Sequence, residues 1–139
     1  MAKELAIFGG SFNPVHLGHL IIAECCLEQA HLDRVLFMPA ATPPHKQNSP
    51  LACPEDRIEM LRLALASHDK LDFSLNECDR GGISYTVDTV SDLVARHPND
   101  RFSLILGPDA LRDLPSWRKP QEILGIVRIL AIERHGIDD

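Results

Sequence analysis

The stretch Gly9-Gly10-Ser11-Phe12-Asn13-Pro14-Val15-His16-Leu17-Gly18-His19 gathers the residue types that bind an anion. Two glycines after an apolar run let backbone N–H groups approach a ligand closely, and the N-terminus of a helix just beyond them favours negative charge. Together they make a phosphate cradle. His16 and His19 stand three apart at the helix start, so both imidazoles project from one face of its first turn toward the same bound group. Gly18 between them keeps the backbone open to close approach. Elsewhere, His45 and Lys46 follow Pro43-Pro44 in a loop and can close over an anionic ligand, or stand as an exposed basic pair. Tyr85 and Thr86 precede a helix, where Thr86 is a candidate N-cap. Trp117 is the single tryptophan, set among Pro115, Ser116, Arg118 and Lys119, and a partly exposed ring there can stack on a flat heterocycle. Asp109, after Gly107, puts negative charge at a helix start, and Arg134 ends the last apolar run, where it can meet a phosphate or the solvent.

The elements that must position these residues follow from hydrophobic periodicity. Leu5 to Phe8 reads as a buried strand followed by a loop at Gly9-Gly10, and apolar residues from Leu20 to Ala30 recur at helical spacing, giving a helix from Leu17 to about His31. Val35 to Met38 is a second strand stopped by Pro39, and Ala40 to Pro54, with Pro43, Pro44 and Pro50, is a long loop of the kind that is functional or disordered. A helix opens at Pro54-Glu55-Asp56. Leu71 to Leu75 alternates as a third strand, Asp79 to Tyr85 with Gly81-Gly82 is a turn, and Thr86 to about Arg96 is a helix closed by His97-Pro98. Phe102 to Leu106 is a strand ending in Gly107, a short helix follows, and a last helix around Gln121 to Leu124 precedes the strand Ile126 to Ile132. Strands alternating with helices predict one α/β domain over residues 1–139: a Rossmann-like, open, doubly wound parallel sheet of about five strands in three α/β/α layers. Ligands of such sheets sit beyond the carboxyl ends of the strands at the switch point, where Gly9-Gly10 and Gly107 fall.

Composition narrows the function further. The 139 residues carry 14 basic and 20 acidic side chains, a net charge of −6, which disfavours a sequence-independent grip on nucleic acid and requires a local positive site for any anion. No apolar run approaches the roughly 20 residues that span a bilayer, and Met1 to Glu4 does not read as a signal peptide. Cys25, Cys26, Cys53 and Cys78 show neither zinc-ligand nor disulfide-framework spacing, so a reducing cytoplasm is the expected location.

The block from Gly10 to His19 resembles the nucleotidyltransferase signature G-x-F-x-P-x-H-x-G-H, whose histidine pair is similar to that of class I aminoacyl-tRNA synthetases. Pro43-Pro44-His45-Lys46, Ile83-Ser84-Tyr85-Thr86, Gly107-Pro108-Asp109 with Trp117, and Ile132-Glu133-Arg134 look like the bacterial nicotinate-nucleotide adenylyltransferase family, and with the first block they cover the chain nearly end to end. The resemblance implies transfer of AMP from ATP to nicotinate mononucleotide, giving deamido-NAD and pyrophosphate in pyridine nucleotide (NAD) biosynthesis. It implies His16 and His19 as catalytic residues and Gly9, Gly10, Ser11, Phe12, Gly18, Gly107 and Asp109, with both histidines, as the ATP site. Pro44, His45, Lys46, Tyr85, Thr86, Trp117 and Arg134 would hold the mononucleotide, with Trp117 on the nicotinate ring and backbone N–H groups near Thr86 on its carboxylate. Mg²⁺ is expected on the ATP phosphates, with no separate protein metal site.

A second family signature, I-S-x-T-x-x-R, does not occur toward the C-terminal end, so the domain reads as incomplete there relative to the family. Three readings follow: a piece of a longer enzyme, a homodimer that covers an otherwise exposed apolar face, or a nucleotide-binding protein without turnover. Transfer to another acceptor, such as nicotinamide mononucleotide, is the alternative reaction.

Overall fold

The computed structural model describes residues 2–10, 12, 15–40, 54–80 and 84–132. Within them, strands Glu4–Gly10 (β1), Arg34–Pro39 (β2), Leu71–Phe73 (β3), Arg101–Leu106 (β4) and Arg128–Ala131 (β5) form one sheet in the order β3-β2-β1-β4-β5. Every neighbouring pair is parallel. The connecting helices are Leu17–Gln29 (α1), Pro54–Leu65 (α2), Asn76–Arg80 (α3), Thr86–Arg96 (α4), Pro108–Asp113 (α5) and Pro120–Ile126 (α6), with a 3-10 turn, Leu114–Ser116, after α5. This is the Rossmann-like doubly wound sheet that the alternation predicts.

A parallel sheet is buried on both faces, which is why its strands read as nearly continuous apolar runs. Leu5 and Ile7 of β1 pack on one side with Val90 and Leu93 of α4 and Ile123 of α6. Ala6, pointing the other way, joins Ala23 and Leu27 of α1 and Leu61 of α2. The core is therefore two apolar layers separated by the sheet.

The boundaries differ from the sequence reading for local reasons. β1 continues through Gly9 and Gly10 instead of ending in a loop, because β2 runs beside it to Pro39 and Ala40 N–H donates to Gly10 O at 2.9 Å. α1 ends at Gln29, short of His31, which adopts φ 54° while Leu32 N–H returns to Leu27 O at 3.0 Å, a left-handed stop. β3 ends at Phe73 because Asn76 already begins α3, its N–H received by Ser74 Oγ at 3.3 Å, so part of the expected turn is helix. α6 runs to Ile126 and delays β5 to Arg128. The long proline-rich loop and Gly81-Gly82 lie outside the described residues.

Leu61 has no exposed surface and joins α2 to the layer beneath β2. Leu61→Ala should lower the unfolding free energy by about 2–5 kcal/mol, read from the urea midpoint at unchanged slope.

Candidate active site

The strand order reverses direction between β1 and β4, and a cavity of about 400 Å³ opens at that switch point. Its floor is the C-terminal ends of those two strands, Phe8 to Gly10 and Leu104 to Gly107, and its far wall is Tyr85, Thr86, Trp117 and Arg118. Among the described residues a Cβ added at Gly9 or Gly107 would meet nothing within 4 Å, so both strand ends present bare backbone to the cavity. Such a volume suits a small organic ligand.

Beside this cavity, the histidine pair closes the first turn of α1. His16 is the N-cap, and its Nδ1 accepts from Gly18 N–H at 3.1 Å. In return His16 N–H donates to Nδ1 of His19 at 3.0 Å. This is the geometry of a capping box with imidazoles in place of the usual hydroxyl and carboxylate. The rings stack with centroids 3.8 Å apart. A ring nitrogen that accepts a hydrogen bond carries no proton, so these bonds fix each imidazole as the Nε2–H tautomer, with Nε2–H left to donate. Phe12 packs edge-on to His19 at 5.0 Å and Phe8 at 5.9 Å. Burial, followed by the neighbouring His16, lowers the His19 pKa to about 4. His19 is thus a neutral donor at physiological pH.

Gly18 has a different reason from the one its position suggests. The space above it is filled by His16, whose ring atoms would stand 2.9 and 3.0 Å from an added Cβ, so the glycine admits the cap and not a ligand. Phe12 is buried at φ 47°, a left-handed conformation that a bulky residue rarely adopts, and its ring covers Gly10. Thr86 is not the N-cap of α4: Tyr85 is, and it makes no side-chain cap bond, which leaves the first N–H groups of the helix without a side-chain acceptor. Both residues line the cavity, and so does Trp117, which also packs partly on the core. Asp109 is not brought to the cavity lining; it is exposed at the start of α5 and pairs with Arg112 at 2.9 Å. Ser11, Pro44, His45, Lys46 and Arg134 lie outside the described residues.

Sequence reasoning missed several groups. Arg118 lies with its guanidinium carbon 3.9 Å from the Tyr85 ring centroid and lines the cavity. Glu77, from α3, also lines it; Thr89 Oγ1 donates to its carboxylate at 2.6 Å, and burial raises its pKa. Ser84 Oγ is buried there without a hydrogen-bond partner among the described residues. Arg57 is fully buried in α2 and donates to Ala40 O at 2.7 Å, while Cys78 Sγ donates to Pro39 O at 3.2 Å, so the exit of β2 is pinned twice. Only Arg57 left a signal in the sequence, a lone cation in the first turns of an otherwise acidic helix start. Among the described residues no group of three or more His, Cys, Asp or Glu side chains could hold a metal ion, and no helix is long and apolar enough to cross a membrane.

A parallel sheet with a glycine-lined switch point and a histidine-capped helix after its first strand defines a nucleotide-transferring α/β domain, and residues 7–138 match the cytidylyltransferase-like family. The chain is 45% identical over 134 residues to the nicotinate-nucleotide adenylyltransferase of Bacillus subtilis, covering 96% of this chain and 71% of that protein. It is 49% identical over 137 residues to a Synechococcus sequence assigned to the same enzyme, covering 99% of this chain and 68% of the other. The fold superposes with a TM-score of 0.77 on the Plasmodium falciparum nicotinic acid mononucleotide adenylyltransferase complexed with NaAD, at 17% identity over 98% of this chain and 77% of that one. The chain belongs to the cytidylyltransferase-like family and, within it, to the nicotinate-nucleotide adenylyltransferases.

Two predictions follow from the histidine cap. Gly18→Ala should displace the His16 ring and cost about 1 kcal/mol, the usual worth of a helix N-cap, measured by thermal or urea unfolding. His19 is neutral in the native state from pH 6.5 down to about 4 and protonated over that window in the unfolded chain, so the unfolded state binds more protons and stability falls as the pH drops. His19→Asn should lack this dependence, so the gap between wild-type and variant urea midpoints should shift against the wild type from pH 7 to pH 4.5.

Proposed function

We propose that the chain transfers AMP from ATP to nicotinate mononucleotide, releasing pyrophosphate and deamido-NAD. The observation that carries this reading is the switch-point cavity, with bare backbone at Gly9 and Gly107 on one side and the Tyr85, Thr86 and Trp117 wall on the other, in a chain of this family. An oxygen of the mononucleotide phosphate attacks the α-phosphorus of ATP, the new P–O bond forms, the bond to the β-phosphate bridge breaks, and pyrophosphate leaves. The nucleophile is already anionic near neutrality, since a phosphomonoester has a second pKa of about 6, so no general base is needed. Positioning and charge stabilisation are what the protein supplies.

His16 and His19 serve this by donating from Nε2–H, each ring oriented by its own backbone bond. Backbone N–H groups of Gly10, Ser11 and Phe12 supplement them, and Gly9 and Gly107 serve the nucleoside side. Trp117 offers a ring face to the nicotinate, and the uncapped start of α4 at Tyr85 and Thr86 offers N–H donors. Pro44, His45 and Lys46 are assigned to the mononucleotide, and Arg134 to its phosphate. A divalent cation such as Mg²⁺ would be carried in with ATP and would supply charge neutralisation for its phosphates.

Pyrophosphate release with MgATP, compared for nicotinate mononucleotide, nicotinamide mononucleotide and no acceptor, tests the reading. Release should depend on the acid; equal release with the amide, or release without acceptor, would overturn it. His16→Asn keeps an N-capping acceptor but loses the Nε2–H donor, and should lower turnover by about 10²-fold or more at an unchanged melting temperature. Trp117→Ala should chiefly raise the apparent KM for the mononucleotide, and an effect confined to ATP would contradict stacking.

A further inference from the structure

We infer that Arg118 is a specificity-determining residue, its guanidinium pairing with the ring carboxylate of the bound mononucleotide and so favouring the acid over the amide. The inference rests on the proposed reaction and deepens it.

Arg118 differs from most of its counterparts in this chain. Arg34, Arg62, Arg96, Arg101 and Arg112 each pair with a carboxylate. No carboxylate among the described residues pairs with Arg118, whose contact is the face of Tyr85 at 3.9 Å. Stacking covers one face of a guanidinium and leaves its in-plane N–H edge unused, the edge that receives a carboxylate through two parallel bonds. The same contact limits the rotamer freedom lost when a ligand arrives.

Its surroundings point to a flat, negatively substituted ring. Trp117, next in sequence, and Tyr85 put aromatic surface on the same cavity wall. Tyr85 also leads into the first turn of α4, which has no side-chain cap and so favours negative charge at that end. Ser84 adds a buried hydroxyl without a partner among the described residues. The acidic side chain that lines the cavity, Glu77, accepts from Thr89 at 2.6 Å, and burial raises its pKa, which weighs against a full negative charge there. A carboxamide would present one acceptor oxygen, two N–H donors and no charge, where a carboxylate presents two charged acceptor oxygens to a guanidinium that can only donate. The two ligands share their phosphate and differ at the group Arg118 is placed to read.

Trp117 is the single tryptophan, so its fluorescence reports binding without a label. Titrations with nicotinate mononucleotide and nicotinamide mononucleotide, for the wild-type chain, Arg118→Gln and Arg118→Lys, test the inference. Arg118→Gln should weaken the acid by about tenfold, the low end for a charged hydrogen bond at an exposed position, and change the amide by less than about twofold. Arg118→Lys should recover part of the loss. Equal weakening of both ligands would mark a phosphate contact or a packing role and overturn the inference, as would no change in either. If the wild-type chain binds the acid selectively through Arg118 but releases no pyrophosphate, the proposed reaction fails and the recognition stands. If pyrophosphate release depends on the acid and Arg118→Gln keeps that preference, the reverse holds. Failure of the wild-type chain to bind either mononucleotide overturns both.

Discussion

The four N–H groups at the start of an α-helix must find acceptors, and at α1 imidazole nitrogens receive two of the backbone N–H groups at that end. The bonds at Nδ1 of His16 and His19 set the tautomer, ring orientation and spacing of both side chains. They also determine which residue can stand between them, since only a glycine leaves room for the His16 ring. Phe8 and Phe12 then enclose His19 and hold it neutral. A charged imidazole would attract phosphate more strongly, but it could not accept the backbone hydrogen bond that orients it. The protein keeps direction and gives up charge at this point.

The sheet supplies the second requirement, which is proximity between segments far apart in sequence. β1 and β4 are adjacent although nearly a hundred residues separate Gly9 from Gly107, and the helices after them diverge to opposite faces. The gap that this divergence leaves is the cavity. Tyr85 and Trp117 reach it because α4 and the turn after α5 lie on the face that carries Val90, Leu93 and Ile123. In a negatively charged chain the cavity wall itself carries a cation, Arg118, beside bare backbone at Gly9 and Gly107 and the start of α4.

Much of this was legible in the residues. Alternating apolar runs gave the parallel sheet, and glycines after the first and fourth runs marked the switch point, because strand burial and backbone access leave direct traces in residue type. The histidine pair was legible as a pair. Its reciprocal cap was not, since a spacing of three fits equally well two side chains reaching for a ligand and two bonding their own backbone. Thr86 looked like the cap of α4 by composition, yet tertiary packing moved the boundary by one residue to Tyr85. Asp109 and Arg118 carried opposite fates that no local pattern distinguishes: Arg112, one turn on, neutralises the first, whereas Tyr85, distant in sequence, supports the second. Whether a charge is quenched depends on what the fold brings beside it.

Gly9 and Gly107 bear on how such a site tolerates change. Neither has a positive φ, and a methyl group on either would touch no other side chain or backbone among the described residues. Their smallness therefore contributes nothing to folding. Substitution there leaves the native state as well packed as before and alters only the contour offered to a ligand, so screens that report expression, solubility or melting would score these positions as permissive. The boundary between what keeps this domain folded and what lets it bind runs between neighbouring residues: Gly18 answers to the protein, Gly9 and Gly107 to whatever enters the cavity.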